Sequence, residues 1–130
     1  MTVRRAFSGA PWEDRIGYCR AVRIGPLVWV TGTASVTAEG SVHAPGDPYR
    51  QALRCFEIIE EALNKVGART PDVVRTRMFV TDIAHWPEVG RAHKEVFGAH
   101  PPTTTMVEVS GLIDPEMLVE IEADAYVDPA

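Results

Sequence analysis

The stretch Val119-Glu120-Ile121-Glu122-Ala123-Asp124-Ala125 alternates strictly between apolar and acidic residues. A period of two marks a β-strand with one face on a core and the other turned away. Val119, Ile121, Ala123, Ala125 and Val127 share one face, and Glu120, Glu122 and Asp124 share the other. Side chains on one strand face stand roughly 6.5 Å apart, so three carboxylates in a row repel one another unless water or a donor-rich ligand faces them. The acidic face is therefore either solvated or the wall of a cleft. Upstream, Pro101-Pro102-Thr103-Thr104-Thr105-Met106-Val107-Glu108-Val109 gives a second alternating strand. There Thr104, Met106 and Glu108 share a face against Thr105 and Val107.

Ahead of these strands lies the clearest helix of the chain. Asp47 suits its N-cap, Pro48 its first position, and Gly67 the position just past its end. Between them Ala52, Cys55, Phe56, Ile59, Ala62, Leu63 and Val66 recur at helical spacing and form one apolar face. A second helix is expected from about Pro87 to Phe97, stopping at Gly98, with Val89, Ala92, His93, Val96 and Phe97 as its stripe. His93 on that stripe reads as a hydrogen-bonded core or interface histidine, and Trp86 as a staple for the preceding loop. Strands are expected over Thr2 to Phe7, Tyr18 to Ile24, Leu27 to Thr33 and Val73 to Thr81, with Gly25-Pro26 as a hairpin turn. The segment from Ala34 to Gly46 is rich in turn formers and reads as a loop.

The order β-β-β-α-β-α-β-β places two helices most simply on one face of a single sheet, a two-layer α+β domain. Yet Leu27-Val28-Trp29-Val30 and Met78-Phe79-Val80 are continuously apolar, as expected of strands buried on both faces. Two helices leave the second face bare, so self-association through the sheet is expected.

A chain of 130 residues suffices for one domain with a real core, taken as residues 1–130. Its net charge of −5, with basic residues scattered, argues against nucleic acid as a partner and against a nuclease. No apolar run approaches the roughly 20 residues of a membrane span. Met1 to Phe7 has two arginines but no hydrophobic stretch behind them, so it does not read as a signal peptide. Cys19 and Cys55 suggest no disulfide framework, which makes a reducing cytoplasm the expected compartment. His43, His85, His93 and His100 lack metal-ligand spacing, so no metal site is expected. The polar groups that remain sit on strands. Thr31 and Gly32 end a hydrophobic strand, where a glycine marks a bulge or admits a ligand or another backbone closely. Tyr18 and Cys19 open the strand before it, and Glu120 faces away from the core.

These residues carry a resemblance. Ile16-Gly17-Tyr18-Cys19, Val30-Thr31-Gly32-Thr33, Val80-Thr81-Asp82, Pro102-Thr103-Thr104-Thr105-Met106-Val107 and Val119-Glu120-Ile121-Glu122-Ala123 are similar, in order and spacing, to the RidA/YjgF family of reactive intermediate deaminases. The likeness runs from about Gly17 to Val127. It implies a chorismate-mutase-like α+β fold and a homotrimer whose sheets form an inner barrel, with small-molecule clefts between neighbouring subunits. Enzymes of the family hydrolyse enamines or imines such as 2-aminoacrylate without metal or organic cofactor. A glutamate matching Glu120 activates water, and an arginine grips the substrate carboxylate through paired hydrogen bonds.

Departures from the family pattern shape the expectation. Thr104 stands at the arginine position, Met106 at the neighbouring cysteine, Thr31 at a serine, Gly90 at an asparagine and His93 at a tyrosine. The sequence thus resembles an arginine-lacking subgroup. A small carboxylate would meet Glu120 without a counter-charge, unless Arg20, Arg23, Arg75 or Arg77 supplies one from elsewhere. Two functions are expected. One is a deaminase for an enamine or imine other than a small 2-amino acid derivative, with Glu120 catalytic and Tyr18, Thr31, Gly32, Gly90, Thr104 and Met106 binding substrate. The alternative is a non-catalytic trimer that binds a small molecule.

Overall fold

The computed structural model describes residues 2–129. Its strands are β1 (Val3–Ala6), β2 (Ala21–Ile24), β3 (Leu27–Ala34), β4 (Val73–Val80), β5 (Thr103–Glu108) and β6 (Val119–Tyr126). They form one six-stranded sheet in the order β1-β2-β3-β6-β4-β5. Neighbours are antiparallel except β4 and β5, the parallel pair. A parallel pair needs a crossover, and the helix α3 (Trp86–Phe97) provides it. The other helices are α1 (Pro11–Ile16) and α2 (Pro48–Lys65).

Local chemistry sets α2. Asp47 accepts a hydrogen bond from the Arg50 N–H at 3.0 Å, Pro48 opens the first turn, and Gly67 leaves at φ 78°. Its buried face, including Cys55, Phe56, Ile59 and Leu63, shares one core with Val28 and Val30 of β3, Met78 of β4 and Ile121 of β6. Each such side chain contributes about 1.5–3 kcal/mol on burial. Gln51 is buried among them with all its polar atoms used. Its amide donates to the Ala44 and Glu116 carbonyls at 3.2 and 3.0 Å, and its oxygen accepts from the Leu118 N–H at 2.8 Å. This ties two loops to the helix just where β6 begins.

β6 keeps the expected parity. Val119, Ile121, Ala123 and Ala125 are buried beneath the helices, and Glu120, Glu122 and Asp124 point to the opposite face. The acids there are not simply solvated, because Arg77 reaches Glu122 at 3.1 Å and Asp124 at 3.4 Å. Between Val30 and Thr33 the pairing of β3 with β6 shifts, so β3 carries one extra residue there.

The two apolar runs split between the faces. Val28, Val30, Met78 and Val80 are buried on the helix side, whereas Leu27 and Trp29 are 44% and 43% exposed on the other. Neither α2 nor α3 covers that second face.

Three expectations need correction. The helix α1 was not expected, because its six residues bury only Glu13 and carry no apolar stripe. Consequently β2 begins at Ala21, not at Tyr18, since Gly17 ends α1 at φ 87° and Tyr18 and Cys19 bridge the gap. Trp86 is 61% exposed as the first residue of α3 and does not staple its loop. No helix among the described residues is long and apolar enough to cross a membrane.

Candidate functional site

The start of β6, the end of β3 and the turn after α1 enclose an open cavity of about 770 Å³. Tyr18, Arg20, Thr31, Gly32 and Glu120 line it together. The register explains the convergence, because Ala34 pairs with Glu120 and Thr31 donates its N–H to the Arg20 carbonyl at 2.9 Å.

Glu120 lies directly over Gly32. A Cβ at residue 32 would stand 2.5 Å from Glu120 Oε2, so the absent side chain is what admits the carboxylate. Burial raises the Glu120 pKa from its ordinary 4.5, with Glu122 adding to the rise and Arg20 opposing it. Among the described residues no donor hydrogen-bonds the carboxylate. It is held half-buried, available to water or a ligand.

Arg20 is the cationic member of the cavity, but its nitrogens are turned into the protein. Nη2 donates to the Gly32 carbonyl at 3.0 Å and Nη1 to Thr33 Oγ1 at 3.3 Å. Nε is 3.7 Å from Oε2 of the buried Glu13, whose carboxylate also accepts from the Ser8 N–H at 3.0 Å and from the Ser8 hydroxyl. Thr31 spends its hydroxyl proton on the Cys19 carbonyl at 2.6 Å. Toward the cavity its oxygen therefore offers lone pairs, not a proton.

Gly90, Thr104 and Met106 lie elsewhere. Thr104 pairs with Thr76 and Met106 with Met78, and both Thr76 and Met78 are buried on the helix side. The sheet thus separates Thr104 and Met106 from Glu120 within one chain. Thr76 donates to Thr104 Oγ1 at 2.7 Å and sits 2.8 Å from His93 Nε2. With the Thr76 proton spent on Thr104, His93 Nε2–H donates to Thr76. His93 also packs edge-on against Phe56 and lies 4.7 Å from the Phe97 ring centre. Burial lowers its pKa from 6.5, so the imidazole is neutral and is the expected core histidine. Gly90 lies one turn earlier on α3 with open space beside its α-carbon.

The sequence named Arg20 as one of four possible cations but missed Glu13, the acid behind it. A signal existed: Pro11 followed by Glu13 and Asp14, then Arg15 and Gly17, is the charge and cap order of a short helix. Cys19 is half-buried beside a second cavity of about 530 Å³, which shares Tyr18 with the first. Cys55 is fully buried with its thiol pKa pushed up by desolvation, so it is inert. Among the described residues no three His, Cys, Asp or Glu side chains converge to hold a metal ion.

Comparison with known proteins fixes the family. The family model for endoribonuclease L-PSP matches residues 11–127. The chain belongs to the RidA/YjgF family. A solved Mycobacterium tuberculosis member of the YjgF/YER057c/UK114 family is 48% identical, covers 97% of this chain and all of its own, and superposes with a TM-score of 0.89. The YjgF gene product of Escherichia coli is 28% identical over 93% of this chain and 95% of its own, with a TM-score of 0.80. Among curated proteins, 3-aminoacrylate deaminase RutC of Acinetobacter baylyi is 29% identical, covering 85% of this chain and 86% of its own. The RidA/YjgF fold is thus the α+β sheet, with α2 and α3 on one face, that the alternation of β6 called for.

Proposed function

We propose that this RidA/YjgF protein is a homotrimeric hydrolase of an enamine or imine bond, working in the cytoplasm as one domain, with Glu120 as the base that activates water. The observation that carries this reading is the Glu120 carboxylate, held over Gly32 in an open cavity with a raised pKa and no hydrogen-bond donor on it among the described residues. A base with an elevated pKa is better matched to proton transfer near neutrality. Water held by Glu120 adds to the C=N carbon, Glu120 takes its proton, and the tetrahedral adduct collapses to a carbonyl as ammonia departs. Tyr18 and Thr31 orient the substrate at the same corner.

The trimer is supported by the uncovered sheet face, where Leu27 and Trp29 stand exposed beside Tyr126. It is supported also by the division of the site. Thr104 and Met106 stand across the sheet from Glu120 within one chain, and in the proposed trimer the next copy brings them, with Gly90, to the wall opposite Tyr18, Thr31, Gly32 and Glu120. The deaminase activity of the RutC relative agrees with the reaction class.

A second reading, a trimer that binds a metabolite without chemistry, is favoured by Thr104. A hydroxyl already bonded to Thr76 replaces the positive charge expected at that position. Turnover of imines generated in situ tests both readings. Glu120→Gln is expected to lower the rate about 10²- to 10⁴-fold with the fold intact. A ligand that raises Tm and is recovered unchanged by mass spectrometry, with no imine consumed, supports binding alone.

A further inference from the structure

The polar corner of the cavity is rich in acceptors. Glu120 presents a free carboxylate, and Thr31 presents an oxygen whose proton is committed to Cys19. Glu39 and Asp114 add two acids to the rim, against Arg20 as the one cation among the described residues of this chain that line it. Arg20 donates to the Gly32 carbonyl and to Thr33 and faces Glu13, so its charge is balanced within the wall. A substrate carboxylate placed here meets acceptors and like charge, whereas an N–H cation meets partners for its protons.

Away from that corner the wall is apolar. Trp12, Ile16, Val36, Ile113 and Met117 line it, with Ile16 and Ile113 exposed by 65% and 62% at the mouth. Large exposed apolar side chains around a concave site mark a surface that expects an apolar ligand. The volume of about 770 Å³ has room far beyond a three-carbon substrate.

We infer that the pocket selects iminium ions derived from amines rather than from amino acids: a cationic C=N head at Glu120 and Thr31, a bulky apolar substituent along Ile113 and Trp12, and no carboxylate. The inference rests on the hydrolase reading and names its substrate class. The step balances with water alone. The water oxygen bonds to the imine carbon, one water proton passes by way of Glu120 to nitrogen, and the C–N bond breaks with its electron pair on nitrogen. The hydroxyl proton of the adduct ends on the departing ammonia. R–CH=NH2+ and H2O thus give R–CHO and NH4+.

Calorimetry on the intact oligomer tests this with a matched pair of unreactive probes, 3-phenylpropylammonium and 3-phenylpropionate. The ammonium is expected to bind at least about tenfold more tightly, with Glu120→Gln erasing most of the gap. Ile113→Ala, a change at the exposed mouth that leaves the core untouched, is expected to weaken 3-phenylpropylammonium several-fold and ethylammonium hardly at all. Equal or tighter binding of the carboxylate, or no binding of the ammonium, overturns the inference. A kinetic arm compares imines made in situ by an amine oxidase with those made by an amino-acid oxidase. Preference for the amino-acid imines overturns the substrate class but leaves the hydrolase standing. Ammonium binding without turnover of either imine overturns the hydrolase and leaves the cation selectivity standing.

Discussion

The Glu120 corner and the Thr76–His93–Thr104 cluster lie on opposite faces of one sheet, and both bury groups that can carry charge. They handle burial in opposite ways. At His93 the conflict is closed: a neutral imidazole donates to Thr76, which donates to Thr104, between two phenylalanine rings. At Glu120 it is left open, since the carboxylate has neighbours of both signs but, among the described residues, no hydrogen-bond donor on it. A cluster whose members hydrogen-bond one another holds a structure, and a half-buried carboxylate kept short of donors is a candidate for chemistry.

The largest expected effect attacks what supports the open corner. Glu13→Ala leaves Arg20 buried without its acid and is expected to cost about 3 kcal/mol, read by urea unfolding. A loss below about 1 kcal/mol would show that Arg20 is satisfied by Thr33 and Gly32 alone. Next comes Gly32→Ala, whose new methyl group pushes the Glu120 carboxylate aside while the backbone stays put. A misplacement of about 1 Å is expected to lower kcat/KM by about 10²-fold with Tm nearly unchanged. A drop in Tm with full activity would reverse the assignment of the two regions.

On the closed side, Thr76→Val strands the His93 proton and is expected to cost about 1.5 kcal/mol. Thr104→Val, at the exposed end of the same chain of bonds, is expected to cost less than half of that. The smallest effects are in pH dependence, and their signs differ. The folded state raises the Glu120 pKa above its usual 4.5, so it holds more protons than the unfolded chain between those values. Stability falls there as pH rises. It lowers the His93 pKa below the usual 6.5, so it holds fewer protons between those values and stability falls as pH drops. Tm against pH is therefore expected to flatten at its acidic carboxylate edge in Glu120→Gln and near the histidine range in His93→Gln. Identical profiles in both variants would erase the contrast.

Much of this was legible in the sequence for local reasons. The parity of β6 and the caps of α2 are written within a few residues of the elements they define. Tyr18, Thr31, Gly32 and Glu120 were identified individually, and the β3–β6 register brings them together. Thr104 shows what was not legible. Its parity within β5 follows from alternation, but its face relative to Glu120 depends on the pairing of both strands with β4, a non-local fact. α1 was hidden because a helix that buries only one glutamate has no hydrophobic period to read.

The extra residue of β3 between Val30 and Thr33 has a wider consequence. Ahead of it the even-numbered Val28 and Val30 face the core, and past it the odd-numbered Thr33 and Ser35 do. The strand changes phase at the two residues that hold the site. Deleting either Thr31 or Gly32 would remove the bulge and restore strict alternation, with Val30, Thr33 and Ser35 still facing the core. A deletion here thus keeps the core face and removes only the bulge that sets Gly32 against Glu120.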